Sequence, residues 1–400
     1  WVDGQPKQGL TGSNNGYSDL PVRSAFPVVK QASGGEVVNL MVEAAMNNFF
    51  GISTSDPRKN EGIGWLRQAE LAIFDRNVWN TYWDYVIVAD MARYLPQDSP
   101  RAGQALFTAN QMVNTIDWDD STSYQQAREI AAKFLSQTNG EAQHRLSVLG
   151  HAHIDTAWLW PIAETKRKCV RTFSSALSLM DLYPQFRFVC SQAQQLNWIK
   201  IEYPDLYQRI LKKVRTGQFI PAGGTWVEPD TNVPNGESLV RQFLYGQKFF
   251  NQEFGAISEI FWEPDVFGYS AALPQIMRLA GVKYFLTQKL SWNEFNKPIR
   301  HSFLWEGLDG SRVLAHFPPV DTYNSLATVK EVLFNVQNYQ DHERSDESIL
   351  LYGYGDGGGG PSAEMLEQIA RMGNVDGLPL VEQRSPQDFF ERLERDLKDP

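Results

Sequence analysis

At 400 residues, 42% of them hydrophobic, the chain can fill one large α/β core plus a smaller piece. The net charge of −10, with no basic run longer than KRK, excludes nucleic acid and an anionic membrane surface as partners. No apolar run of about 18 residues is available to span a bilayer. The two cysteines, Cys169 in a helical pattern and Cys190 in a strand-like one, together with the lack of any Asn-x-Ser/Thr acceptor, point to the cytoplasm.

Residues 1–50 open without an initiator methionine on polar, Gly/Ser/Asn-rich, strand-like text, and EVVNLMVEAAMN at 36–47 reads as one more strand. The expectation is the C-terminal remnant of an N-terminal β domain, in a chain that is an internal fragment. Across 51–140, apolar residues recur at three and four, as in WLRQAELAIFDRNVWNTYWDYVIVADMARYL. This predicts packed helices, broken at PQDSPRAG, leading into the next domain.

From 141 to 400, short apolar runs alternate with amphipathic stretches. RLSVLG, FRFVCS, FIPAGG, EIFWEPD, YFLTQ, RVLAHF and SILLYGYGD predict strands. The helical stretches are PIAETKRKCVRTFSSALSLMDLYP, DLYQRILKKVRTG, GESLVRQFLYGQKFFNQEF, AALPQIMRLAG, TVKEVLFNVQNYQ and SAEMLEQIARMG. Such alternation predicts parallel strands with right-handed crossovers, as a barrel or an open sheet, and a ligand site beyond the carboxyl ends of the strands. The closing ERLERDLKDP stops in or just after a helix.

The unusual residues sit at those strand ends: His151, His153 and Asp155; Glu228 and Asp230; Glu263 and Asp265; Gln288 and Lys289; Asp356. Residues two apart in an extended chain face the same way, so the first three can offer half a site for Zn²⁺. Equally, one of the two histidines can be a core residue hydrogen-bonded to a neighbour. In EIFWEPDVFGYS, Glu263 and Asp265 stand beside Trp262, Phe267 and Tyr269, the aromatic-walled carboxylate that oxocarbenium chemistry needs; an ordinary turn is the other reading.

In LLYGYGDGGGGPSAEM, Gly353, Gly355 and Gly358 formally fit a dinucleotide fingerprint. Asp356 stands where a pyrophosphate would lie, and Pro361 delays the helix that should hold it, so the loop is read as a closely packed backbone presenting one carboxylate. Of 12 tryptophans, Trp158, Trp160, Trp226, Trp262, Trp292 and Trp305 fall at strand tips, where they could serve as platforms for sugar rings.

Taken together, HAHIDTAWLWP, SQAQQLNW, GGTWVEPDTN, WEPDVFGYSAALPQIM, FLTQKLSWNEFN, WEGLDGSRVLAHFPP and YGYGDGGGGP resemble glycoside hydrolase family 38, in its cytosolic/vacuolar, neutral α-mannosidase branch. The resemblance implies an α/β fold with a barrel-like, seven-stranded parallel β/α catalytic domain at 141–400. It implies His153, Asp155 and Asp265 as ligands of Zn²⁺, with Co²⁺ as the alternative, and Asp265 also as nucleophile. Asp356, the one carboxylate of its loop, takes the place of the acid/base. Trp158 is the platform under mannose, and Trp226, Glu228, Asp230, Lys289, Trp292 and Tyr323 are implied as further substrate contacts. The function implied is retaining, exo-acting hydrolysis of terminal α-D-mannose from free oligomannosides. The family's remaining metal histidine belongs to an H-D-x-x-x-G block that is not present before Pro400, so an incomplete and weakly active site is expected in this stretch, with homo-oligomers in the full-length protein.

Two rivals stand beside it. His151 and His153 could open an amidohydrolase site, with His316 at another strand tip and His144, His301 and His342 as the remaining histidines. A non-catalytic mannose-binding role is the second.

Overall fold

The computed structural model describes residues 1–10, 25–43, 69–140 and 143–397. Three helices come first, α1 (Arg76–Tyr94), α2 (Pro100–Thr115) and α3 (Thr122–Leu135). Asp75 caps α1 by accepting the Asn77 and Val78 N–H groups, and Ser99 caps α2 with Pro100 in its first turn. The break expected at PQDSPRAG is therefore where one helix stops and the next is capped.

From residue 145 strands and helices alternate. The order is β1 (Arg145–His151), α4 (Ile162–Leu182), β2 (Phe188–Gln192), α5 (Ala193–Glu202), α6 (Pro204–Arg215), β3 (Phe219–Thr225), α7 (Gly236–Phe254) and β4 (Ile260–Glu263). There follow α8 (Leu273–Leu279), β5 (Tyr284–Thr287), β6 (Ser302–Glu306), β7 (Arg312–His316), α9 (Val329–Asn338), β8 (Glu347–Tyr352), α10 (Ala363–Met372), β9 (Leu380–Gln383) and α11 (Pro386–Asp396). All seven strands expected from the apolar runs form.

Three elements were not expected: α5, β6 and the short strand β9. Helix α5 runs straight on from β2 without a side-chain cap, so no punctuation marks its start. Strand β6 pairs antiparallel with β7 through a turn at Asp309 and Gly310, where Gly310 takes the left-handed φ of +84° that such a hairpin requires.

The strands form a parallel sheet of order β3-β2-β1-β8, with β9 also on β1, and a second sheet of order β4-β5-β7-β6 that is parallel apart from β6. Strand β3 lies beside β4, which brings the two sheets together. One buried cluster takes side chains from β1, β2, β3, β4, β5, β7 and β8, among them Leu149, Trp262 and Leu351, and Phe389, Phe390 and Leu393 of α11 pack onto it. On the other face, α1 to α6, α9 and α10 bury a larger cluster against the first sheet. Full burial of each Phe or Leu stabilises the fold by about 1.5–3 kcal/mol.

Among the described residues of 1–50, only isolated bridges from Val2 to Gln5 and Leu40 are present. Residues 1–10 lie along α4 and α6: Gly9 N donates to Ser175 Oγ (2.9 Å), Ser178 Oγ to Lys7 O (2.7 Å), and Arg209 Nη1 to Pro6 O (3.0 Å). Most of the strand expected at 36–47 falls on described residues and forms no ladder with another strand; positions 44–47 lie outside them.

Candidate active site and metal centre

Six loops at the carboxyl ends of the parallel strands supply one cluster. Strand β1 delivers His151 and then His153 and Asp155; the β3 loop delivers Glu228, the β4 loop Asp265 and the β5 loop Lys289. Tyr323 follows β7, and Asp356 follows β8.

The two histidines divide the alternatives left open by the sequence. His151 ends β1 in the core, 1% exposed, with its Nε2 accepting Trp262 Nε1–H at 3.1 Å. Burial, and next the neighbouring His153, push His151 down to about 3, so it stays a neutral core imidazole. His153 is the one that meets carboxylates: Nε2 is 3.2 Å from Asp155 Oδ1 and 3.2 Å from Asp265 Oδ2, and Nδ1 is 2.6 Å from Glu228 Oε2. Burial alone would lower the His153 pKa, but Glu228, Asp155 and Asp265 outweigh it and raise the group well above its usual value.

His153, Asp155 and Asp265 each bring a donor atom within 4.8 Å of the others. One imidazole nitrogen and two carboxylate oxygens make a donor set that suits Zn²⁺ or Co²⁺, and two carboxylates facing each other across a small gap gain from a cation between them. The residues present therefore fit the ion.

Asp265 has a second partner, Lys289, whose Nζ is 2.6 Å from Oδ1. Burial works to raise the Asp265 carboxyl, but His153 and Lys289 prevail and hold it at about 2, ionised across the physiological range. The Lys289 ammonium lies 3.2 Å from the Trp292 ring centroid, 4.8 Å from that of Phe267 and 4.9 Å from that of Tyr323, an aromatic surround that keeps it aimed at Asp265. Glu263, two residues earlier, is fully buried with both oxygens unpartnered; burial, then Glu228, drive its carboxyl well above its ordinary range.

The glycine-rich loop behaves as its sequence suggests. Gly353 has φ +130°, and a Cβ there would lie 2.2 Å from His151 O, so the loop packs flat on the end of β1. That contact continues as Asp155 N donating to Asp356 O at 3.2 Å and as a bridge between Ile154 and Gly357. Asp356 itself sits at φ +60°, a conformation that costs a non-glycine residue about 1–3 kcal/mol. Its Oδ1 accepts the Tyr323 hydroxyl at 2.7 Å, and the Asp265 charge also acts on that phenol. Burial and the two aspartates push the Tyr323 phenol far up, which keeps it a donor.

The other residues singled out from the sequence are placed unevenly. Trp158 is half exposed on the segment between β1 and α4, and Trp292 is half exposed over Lys289 with its indole N–H donated to Asp321 O at 3.0 Å. Trp226 is not brought into the cluster: it donates to Gln194 Oε1 (2.9 Å) and packs edge-on against Phe249. Asp230 is exposed and caps its own loop, accepting Asn232 N at 2.7 Å and Val233 N at 2.9 Å. Glu228 is buried at His153, with its other oxygen taken by Ser191. The supports Ser191, Gln192 and Gln195 were given no role from sequence; the SQAQQLNW block held the only signal for them.

The remaining histidines stand apart from this site. The rings of His144, His301, His316 and His342 surround Tyr339, with centroids 5.2, 5.8, 6.5 and 5.4 Å from it. His316 Nδ1 is 2.9 Å from Ser302 Oγ, so the strand-tip ligand that an amidohydrolase would need is occupied elsewhere. Both cysteines are free and buried, and no described helix is long and apolar enough to cross a membrane.

The profile of the glycosyl hydrolases family 38 N-terminal domain matches residues 143–400. Alpha-mannosidase 2C1 of Mus musculus is 49% identical over 404 residues, covering 99% of this chain and 38% of that protein. Alpha-mannosidase of Saccharomyces cerevisiae is 43% identical over 346 residues, covering 83% of this chain and 32% of that protein. The chain thus spans well under half the length of the curated relatives it matches. The crystal structure of an α-mannosidase from Enterococcus faecalis V583 superposes with a TM-score of 0.53 at 18% identity, over 64% of this chain and 30% of that one, a likeness of fold.

Proposed function

The chain belongs to glycoside hydrolase family 38, and from that premise we propose that it carries the catalytic face of a retaining, exo-acting α-mannosidase that removes terminal α-D-mannose from oligomannosides in the cytoplasm. The observation that carries the reading is Tyr323, which is hydrogen-bonded to Asp356 while its ring lies 5.6 Å from that of His153, tying the Asp356 loop to the His153, Asp155 and Asp265 donor set. A double displacement uses two carboxyl groups about 5–5.5 Å apart, one on each side of the anomeric carbon.

In this mechanism Asp265, ionised and oriented by Lys289, attacks C1 of the mannose from one side. Asp356 gives its proton to the departing glycosidic oxygen, and the C1–O bond breaks as the C1–Asp265 ester forms. Asp356, now a carboxylate, takes a proton from the incoming water, whose oxygen displaces Asp265 and regenerates both groups. Tyr323 donates to Asp356 and steadies it once it carries charge. Trp158, half exposed on the segment that follows β1, and Trp292, half exposed over Lys289, offer ring faces to the sugar. His153, Asp155 and Asp265 would hold Zn²⁺ or Co²⁺, which would supply Lewis-acid stabilisation of charge on the bound sugar. Seven of the eight parallel strands are proposed to wrap as a barrel; the cluster fed by β1, β2, β3, β4, β5, β7 and β8 supports that closure.

The test is the anomer first released by the full-length protein from an aryl α-mannoside, followed by proton NMR. The α anomer is expected; initial release of the β anomer would remove the double displacement.

A further inference from the structure

Strand β3 closes on β2 at one unusual place. Gly223 has φ +92°, and a Cβ there would lie 2.2 Å from Ser191 O, so no other residue allows the approach. The closure sets Ser191 Oγ as a short hydrogen-bond donor to Glu228 Oε1, while Glu228 Oε2 meets His153 Nδ1 at 2.6 Å. The Glu228 backbone is tied as well: its N–H donates to Gln192 Oε1 at 3.2 Å. Gln192 also accepts Thr156 Oγ1–H at 2.5 Å and donates through Nε2 to Ile154 O at 2.9 Å. Side chain and backbone of Glu228 are thereby fastened to the segment that carries His153 and Asp155. The Glu228 and His153 side chains are 3% and 5% exposed, which leaves Glu228 no free oxygen and no open face for a sugar.

A carboxylate can only accept, so the 2.6 Å contact fixes a proton on Nδ1. Nε2 is the nitrogen that turns to Asp155 and Asp265, and a cation bound between those carboxylates would displace its proton and take its lone pair, Nδ1–H staying on Glu228. We propose that Glu228 is a positioning residue: braced by Ser191, it sets the tautomer and ring angle of His153 for metal binding, and it is not a sugar contact.

The proposal rests on the metal-assisted reading, and the experiment separates the two. Full-length protein stripped with chelator is titrated calorimetrically with ZnCl₂, as wild type, Glu228→Ala, Glu228→Gln and Ser191→Ala, with the melting temperature of each metal-free protein measured in parallel. The Kd for Zn²⁺ is expected to rise about 10- to 100-fold in Glu228→Ala. Glu228→Gln keeps an accepting oxygen and recovers most of that loss, and Ser191→Ala weakens binding by about 3- to 10-fold. An unchanged Kd in Glu228→Ala, or in Ser191→Ala should the former not fold, overturns the proposal. So does a lower metal-free melting temperature with wild-type Kd, which would mark a merely structural role. If wild type itself binds neither Zn²⁺ nor Co²⁺, the metal reading fails and this inference falls with it.

Discussion

The histidines around Tyr339 make the protein's stability depend on pH in a window where few other groups titrate. His144 and His301 are pushed down to about 3 and about 4, first by burial and then by His342, and His316 is lowered well below its ordinary value by burial and its histidine neighbours. All three are neutral in the fold above those values, whereas in the unfolded chain each takes up a proton near pH 6.5. The unfolded state therefore binds more protons below pH 6.5, and stability falls as pH falls towards the folded pKa values. Between pH 7.5 and 5.5 each such histidine costs about 1.4 kcal/mol, and the three together about 4 kcal/mol, against a total of about 5–15 kcal/mol for a domain. His144→Gln removes one titrating group while keeping a hydrogen-bonding side chain near Ser348, which His144 Nε2 meets at 2.7 Å. Denaturant midpoints of wild type and variant at pH 7.5 and 5.5 give the comparison. The variant should lose about 1.4 kcal/mol less than wild type over that interval; the same pH dependence in both would refute the burial account.

Two further perturbations address the acid/base loop. Gly353→Ala forces a Cβ to within 2.2 Å of His151 O at a left-handed φ, so it should lower the melting temperature and cut kcat/KM about 10-fold or more by moving Asp356, with metal affinity retained. Tyr323→Phe deletes the hydroxyl that donates to Asp356 Oδ1 at 2.7 Å. A hydrogen bond to a charged group is worth about 1.5–3 kcal/mol, so kcat/KM on an aryl α-mannoside should fall about 10- to 100-fold, with a modest fall in melting temperature.

The strands and their loaded tips were legible because parallel strands buried on both faces read as short continuous apolar runs, and because the chemistry of this fold class collects at one end. Two residues at one tip were not separable. Alternation puts His151 and His153 on one face, yet β1 ends at His151, which remains in the core with Trp262, while His153 lies beyond the ladder and turns to the carboxylates. Glu228 lies at the β3 tip as expected from sequence, but its contacts with His153 and Ser191 depend on the approach of β2 and β3 at Gly223, which a single sequence does not display. Trp226 was included because it shares that tip, but its side chain faces Gln194 and Phe249. The Tyr339 cluster joins histidines from four separate segments, so only the folded chain brings it into view.

The central claim is tested most directly by hydrolysis of an aryl α-mannoside by the full-length protein in Zn²⁺ or Co²⁺, with wild type, Asp265→Ala and Asp356→Ala side by side. Metal-dependent turnover that vanishes in Asp265→Ala, and falls less in Asp356→Ala because a good leaving group needs little protonation, is the predicted result. Wild type that leaves α-mannosides untouched with either metal, or Asp265→Ala that still turns over, would contradict it.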